Sequence, residues 1–470
     1  MLNKIFSKIT KTEKWLLALL FVVTVLLRFP GLGYSHFYGD ETKTLYWNKT
    51  IPAETFLMEQ RKGPVQFVAV WFMETLTGGF DEFAIRLPFA VAGTLAVFVF
   101  YLVVRKLFNW QIAIIATFLF ATNGFMVAFS RTAQYQSFLL LFGLLSVYLA
   151  TFDTKREMLL SGVFLGLAFL SHYDAVFLAI PTIYILGKRF LEAKDKRLTF
   201  IHFLYFLIPL ILIVGAFYMP YIKGGYFEQN TTGYITRRVD KVGGATNTVL
   251  THSVYNPYIV SLLLFVVGGG FLFTKYRSQA VILDLWFTIP FVVFEALFLS
   301  SGTHVMHYFI PGFILTGITL FAVYEWCKRY SLQDVMTILY GILLVGLIGY
   351  SSVTFIPSFS KGHPWNSKSL ATTKFKLFLY GFPYYRGWDQ VGDYLHEVGA
   401  KDFYTNDNVT IGEFYTMGIP ANKGLADYYV NVERNQEYVE FNPEDVIQVD
   451  YKRVHEIKVD GEKVATIYKK

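Results

Sequence analysis

Asp40 and Glu41 stand side by side directly after Gly39, a short way beyond the first long apolar stretch of the chain, which ends on Arg28-Phe29. A carboxylate held at a lipid–water boundary is a candidate general base, because partial desolvation raises its basicity. A solvated loop acid is the plainer alternative. Lys62-Gly63-Pro64 presents an ammonium on a turn fixed by Gly and Pro, which suits a phosphate, although an interfacial lysine also snorkels toward headgroups. Arg131 is the one basic residue of its turn and suits an anion or anchors a helix end. His172-Tyr173-Asp174 lies at a tip between two short apolar segments, as ligand contacts or as a helix-capping Asp beside a structural His. His304 and His307, with Tyr308 and Pro311 after them, line another tip. Two histidines three apart have metal-ligand spacing, so a divalent metal is compatible with them, but a third ligand is not assured. Glu295 lies within an apolar segment, where acids are functional candidates unless partnered packing explains them.

The elements that must position these residues are membrane helices. Of 470 residues, 54% are hydrophobic and only 16% are charged, against about 25% charged in a soluble chain. A soluble fold this apolar would expose large greasy patches. The apolar residues come in blocks near bilayer length, roughly 20 residues. Spans are expected at about 15–29, 86–108, 110–129, 135–152, 158–172, 173–187, 199–221, 257–274, 279–301, 306–326 and 333–356. The first block lacks a small-residue cleavage site and reads as a retained span. With a cytoplasmic N-terminus, the basic residues Arg105-Lys106, Lys155-Arg156, those within 188–197, Lys275 with Arg277, and Lys328-Arg329 all fall inside, as the positive-inside rule requires. That bookkeeping makes the apolar segment 64–78 a helix lying on the outer surface. It also keeps 158–172 and 173–187 as two spans. Much of the net charge of +7 sits in the short inner loops and calls for no nucleic-acid partner; the lone Cys327 excludes an intrachain disulfide.

The expected architecture is thus a polytopic α-helical membrane protein of about 11 transmembrane helices. Its membrane domain covers 1–356, with long outer loops at 30–85 and 222–256. A soluble extracytoplasmic α/β domain of 357–470 follows. There Trp388, Val391, Tyr394, Leu395 and Val398 recur at helical spacing, 402–405 reads as a strand, and 455–468 as a hairpin around Asp460-Gly461.

In this order along the chain, the motifs resemble the GT-C class of membrane glycosyltransferases, and within it the branch of protein O-mannosyltransferases and lipid A aminoarabinose transferases. The resemblance lies in Arg28-Phe29-Pro30, Gly39-Asp40-Glu41, Lys62-Gly63-Pro64 and the run Glu82-Phe83-Ala84-Ile85-Arg86-Leu87-Pro88. It continues in Gly93, Arg105-Lys106-Leu107-Phe108, Ser130-Arg131-Thr132-Ala133, the run Gly166 to Leu170, and His307-Tyr308-Phe309. In the tail, Tyr384-Tyr385-Arg386-Gly387-Trp388 is similar to bacterial members.

The resemblance implies transfer of a sugar from a polyprenyl-phosphate donor to a lipid, glycan or protein acceptor, on the extracytoplasmic face of the plasma (inner) membrane. Asp40 would be the base, Glu41 would support it or hold a basic partner, and Lys62 and Arg131 would stabilise the leaving phosphate. Many relatives carry a second acid a few residues after the arginine matching Arg131; here Gln134, Tyr135 and Gln136 occupy that stretch, so no two-acid mechanism or carboxylate-built metal site is assigned. The competing class, a transporter or flippase, needs a midplane site and commonly an internal repeat. The chain shows no repeat, and its polar residues gather at the outer tips.

Overall fold

Thr10 opens the first long helix, Lys11–Arg28, with a capping box: its side chain accepts from the Glu13 N–H, and the Glu13 carboxylate turns back to the Thr10 N–H. Glu13 is fully buried and also takes the Arg105 Nε–H at 2.7 Å, which ties the start of the first helix to the end of Glu82–Leu107. The computed structural model describes residues 9–37, 39–239, 266–272, 277–298, 302–355, 385–422, 426–435, 451–459 and 461–470.

Side-chain caps mark where the later helices begin. Asp81 accepts from the Ala84 N–H to start Glu82–Leu107, Asn109 caps Trp110–Thr122, and Asp195 caps Lys196–Lys223. Among the described residues, Glu82–Leu107, Lys196–Lys223 and Met306–Lys328 are long and apolar enough to cross a membrane; Val65–Thr77, Trp110–Thr122, Gln136–Ala150 and Gln333–Gly349 are shorter apolar helices. Lys196–Lys223 buries few of its apolar residues, and Ile208, Ile211 and Leu212 stand exposed, as suits a lipid-facing surface. Small residues let helices close up. A Cβ on Gly162 of Lys155–Ser171 would meet the Phe206 carbonyl oxygen at 2.0 Å, and one on Gly143 would meet Leu178 at 2.3 Å.

The segments 158–172 and 173–187, short as spans, are two longer helices, Lys155–Ser171 and Ala175–Glu192, separated at His172–Asp174. The expected span 110–129 is broken at Asn123, whose extended backbone ends Trp110–Thr122 and lets Gly124–Ser130 restart. That break carries Ser130 to Arg28. Residues 65–77 form one helix, as expected for 64–78. Of the segment 257–274 only 266–272 is described, and the 222–256 loop is described to residue 239. The tail's expected start at 357 and the hairpin tip at Asp460 also lie outside the described residues.

The C-terminal unit is a four-stranded sheet of order β1-β2-β4-β3, with β1 Phe403–Thr405, β2 Tyr428–Val432, β3 Lys452–Val459 and β4 Glu462–Lys469. The β1–β2 pair is parallel and the others are antiparallel. One sheet face packs on Trp388–Glu397 through Trp388, Val391 and Leu395 against Phe403, Val430, Ile457 and Ile467. The small domain therefore has a core of its own.

Candidate active site

Asp40 lies in a four-residue helix, Gly39–Thr42, with about a third of its side chain exposed. Lys43 reaches its Oδ1 at 2.5 Å and Lys62 its Oδ2 at 3.7 Å. The Lys62 ammonium, more than any other group, holds the Asp40 carboxyl well below the usual carboxylate range; burial opposes it and Lys43 adds to it.

Gly63 explains why Lys62 is there. Its φ of +114° suits glycine alone, and a Cβ would meet the Leu170 carbonyl oxygen at 2.1 Å. The Lys62 turn is thus pressed onto the end of Lys155–Ser171, beside His172. The Lys62 ammonium lies 5.2 Å over the Tyr135 ring, and that ring stacks on His172 at 3.9 Å and 13°. Arg61 covers the Tyr234 ring at 3.8 Å, which brings in the Gly233–Val239 helix of the second long loop.

Behind this layer, Asp174 gathers three histidines. The His304 Nδ1 and the His307 Nε2, the latter at 3.1 Å, both contact its Oδ2, and the His172 Nδ1 lies 3.1 Å from its Oδ1. The helix-capping alternative for Asp174 is corrected: its side chain makes no cap bond to Ala175–Glu192, because His304 and His307 take it. All four residues are buried. Tyr308 points elsewhere and donates to Glu295 Oε1 at 2.7 Å, so partnered packing accounts for that acid. His172 Nδ1 accepts the Asp174 N–H, and among the described residues no group of three or more His, Cys, Asp or Glu is disposed to hold a metal ion.

Three other candidates are buried among the helices. Glu41 is fully buried and forms a bidentate pair with Arg86, Nε–Oε1 2.9 Å and Nη2–Oε2 2.8 Å, while its Oε1 also accepts the Ala133 N–H. Of the two roles expected for it, this is the holding of a basic partner. Arg131 spends Nη1 and Nη2 on the carbonyls of Leu27, Arg28, Pro30 and Gly31, where the first helix ends. Of the two roles expected for it, these bonds are the anchoring of a helix end. Arg28 is likewise enclosed, donating to Ser130 Oγ at 3.1 Å and to the Ala121 and Thr24 carbonyls, so it braces the broken helix. The close approach of Gly93, 2.2 Å from Ser130 Oγ if it bore a Cβ, completes that joint.

Arg86, His36 and Arg386 were not singled out from the sequence as site residues, although Arg86 and Arg386 stand inside quoted motifs. Arg86 carried a signal, a charge in the first turns of a long apolar helix. A cavity of about 320 Å³ lined by Met158, Leu186, Arg189, Phe190, Thr199 and His202 lies toward the other end of Lys155–Ser171. Met158 is roughly 18 Å along that helix from Leu170, at 1.5 Å per residue, so the cavity is remote from Asp40.

A family model described as dolichyl-phosphate-mannose-protein mannosyltransferase matches residues 61–218, about a third of the chain, including Lys62, Arg86, Arg131, His172 and Asp174. The fold extends the likeness over the remainder: ArnT from Cupriavidus metallidurans, solved bound to undecaprenyl phosphate, superposes with a TM-score of 0.55 at 12% identity, covering 96% of this chain and 97% of that one. The chain thus has the fold of these membrane glycosyltransferases, and its residues 61–218 are similar to that mannosyltransferase family. Two further GT-C structures share the fold. The oligosaccharyltransferase AglB from Archaeoglobus fulgidus, in complex with an inhibitory peptide and a dolichol-phosphate, gives a TM-score of 0.51 at 12% identity over 90% of this chain and 69% of that one. The mycobacterial arabinofuranosyltransferase AftD gives 0.52 at 13% identity over 97% of this chain and 40% of that one. No curated protein sequence matches.

Proposed function

We propose that this protein is a GT-C glycosyltransferase that transfers a sugar from a polyprenyl-phosphate carrier to an acceptor at the extracytoplasmic face, with Asp40 as general base and Lys62 as the cation for the donor phosphate. The observation that carries the proposal is the Asp40–Lys62 pair, 3.7 Å apart at the mouth of the helix bundle, in a fold whose solved members include one bound to undecaprenyl phosphate.

The pair has a chemical consequence. A carboxylate locked to an ammonium is a poor base, since its pKa is depressed. An arriving phosphodiester or phosphomonoester competes for the Lys62 ammonium. As Lys62 turns to the phosphate, Asp40 loses its strongest stabilising charge and gains basicity toward the acceptor proton. The acceptor oxygen then attacks the anomeric carbon, the bond from that carbon to the phosphate oxygen breaks, and the proton passes to Asp40. Lys62 neutralises charge on the departing phosphate. Tyr135 beneath Lys62 supports the ammonium in both positions.

The orientation proposed is a cytoplasmic N-terminus with Asp40 and the C-terminal domain outside, which is what the distribution of basic loops favours. Mass spectrometry of lipid-linked sugars in cells lacking the protein tests the activity. Accumulation of one polyprenyl-phosphate sugar is the expected result. An unchanged lipid pool together with unchanged envelope glycans would overturn it.

A further inference from the structure

We infer that the C-terminal domain is a positioning element of the transferase site, acting through Arg386 and Tyr415 on the backbone just before Asp40. The inference rests on the reading of Asp40 as the base.

The segment 35–37 is held from two sides. From the membrane helices, Arg86 Nη1 donates to the Ser35 carbonyl at 2.8 Å and Nη2 to the His36 carbonyl at 3.0 Å. From the C-terminal domain, Arg386 Nη2 donates to the Phe37 carbonyl at 2.6 Å, and the Phe37 N–H donates to the Tyr415 hydroxyl at 2.7 Å. Both backbone groups of Phe37 are thereby fixed by side chains lying about 350 and 380 residues further along the chain. His36 is fixed the same way. Its Nδ1 accepts the Arg386 N–H at 3.1 Å, so Nε2 bears the proton and donates to Asp389 Oδ1 at 2.6 Å.

The clamp is itself braced. Arg386 is fully buried and donates to Asp407 Oδ2 at 2.9 Å, and the same oxygen takes the Trp388 indole N–H at 2.8 Å. Tyr415 in turn donates its own hydroxyl hydrogen to Glu82 Oε1 at 2.6 Å, at the start of the helix that carries Arg86. The helix Val409–Tyr415 packs directly on Gly39–Thr42, the element that holds Asp40. The domain's apolar core lies around Trp388, Phe403 and Val430, and the bonds to His36, Phe37 and Glu82 reach outside it. Its polar reach toward the first loop is spent on His36 and Phe37, just ahead of the proposed base. Proximity arguments make that placement matter, since about 1 Å of misplacement costs on the order of 10² in rate.

The test uses full-length protein carrying Cys327→Ala and Lys43→Cys, spin-labelled at position 43 beside Asp40, with a control label at Lys194→Cys. Arg386→Met, and the milder Tyr415→Phe, are expected to mobilise the label at 43 and leave the control unchanged. In unlabelled variants lacking these cysteine changes, affinity for undecaprenyl phosphate should stay within about twofold, while sugar transfer from a membrane extract of lipid-linked sugars falls about 10²-fold. Unchanged mobility at 43 in both variants overturns the clamp whatever the transfer assay gives. Raised mobility with wild-type transfer overturns its positioning role. A wild-type protein without transfer, beside a mobile label in the variants, strikes the proposed activity and leaves the clamp standing.

Discussion

Arg86 grips Glu41 with two parallel hydrogen bonds, Nε to Oε1 at 2.9 Å and Nη2 to Oε2 at 2.8 Å, with both side chains almost wholly buried. Adjacent carboxylates, Asp40 and Glu41, thus have opposite fates. One is partly exposed beside two lysines, and the other is a strut between the first loop, the Glu82–Leu107 helix and the Ala133 N–H. The four-residue helix sets this division, because successive residues there point to different sides.

Glu41→Gln is therefore expected to act on the fold. Breaking a buried ion pair by removing one partner costs about 3–5 kcal/mol, because the other charge is left uncompensated. Thermal melts of the purified protein should show a large loss for Glu41→Gln and a smaller one for Asp40→Asn, whose ion pair is partly exposed. Equal melting behaviour of the two variants would reject the strut.

Asp40→Asn should leave folding and carrier binding in place while transfer drops by about 10²–10⁴, the usual contribution of a placed base. Transfer is followed with a labelled polyprenyl-phosphate sugar pool in membranes. Gln134 and Gln136 offer no substitute carboxylate, and Gln136 already donates to Gln134 at 3.2 Å. A wild-type rate in a folded Asp40→Asn protein would leave the mechanism without its base.

Much of this site was legible as residue types and little of it as relationships. Asp40, Lys62 and His172 stood out because charge and imidazole are conspicuous at the ends of apolar blocks. The helices were readable from apolar length, and the Trp388–Glu397 helix from its period. Arg131 looked available to an anion, yet nothing local in the sequence states that the first helix ends within its reach. His36–Asp389 and Arg386–Phe37 join positions about 350 residues apart, a distance over which periodicity carries no information. Gly63 shows the same limit: the turn was foreseeable, but its contact with Leu170 was not.

Arg131→Ala should lower stability and spare the donor. The substitution leaves carbonyls at the end of the first helix without their donors, at about 1–3 kcal/mol for each that stays buried and unsatisfied. Lys62→Ala should do the reverse, weakening undecaprenyl phosphate binding with little effect on melting. Titrations of both variants against undecaprenyl phosphate separate the two roles, and a loss of affinity in Arg131→Ala at unchanged stability would restore it to the phosphate site.

Topology can be checked with single cysteines on the Cys327→Ala background. A cysteine at Lys194 should react with membrane-impermeant reagents only after the cytoplasmic face is opened, and cysteines at Lys43 and Lys401 should react in intact cells. A C-terminal domain labelled only from the cytoplasm would end the eleven-span arrangement.

The exchange of Lys62 between Asp40 and phosphate has a signature in pH. In the donor-free protein the Asp40 carboxyl is depressed, so it is ionised throughout the neutral range. Stability linked to the pair is present above about pH 3.9, the ordinary Asp value, and is lost as pH falls through the lower folded value; melts between pH 6 and 8 should not sense it. The profile of kcat/KM reports the free enzyme, so Asp40 should give no acid limb there. The profile of kcat reports the enzyme with donor bound, where Lys62 has turned to the phosphate, so its acid limb should lie at higher pH. Lys62→Met removes the largest influence lowering the Asp40 pKa and leaves burial, which raises it, opposed mainly by Lys43. An acid limb of kcat/KM should therefore appear in that variant, toward the limb of wild-type kcat. Identical limbs in kcat and kcat/KM for the wild type, unmoved by Lys62→Met, would show that Lys62 does not govern the basicity of Asp40.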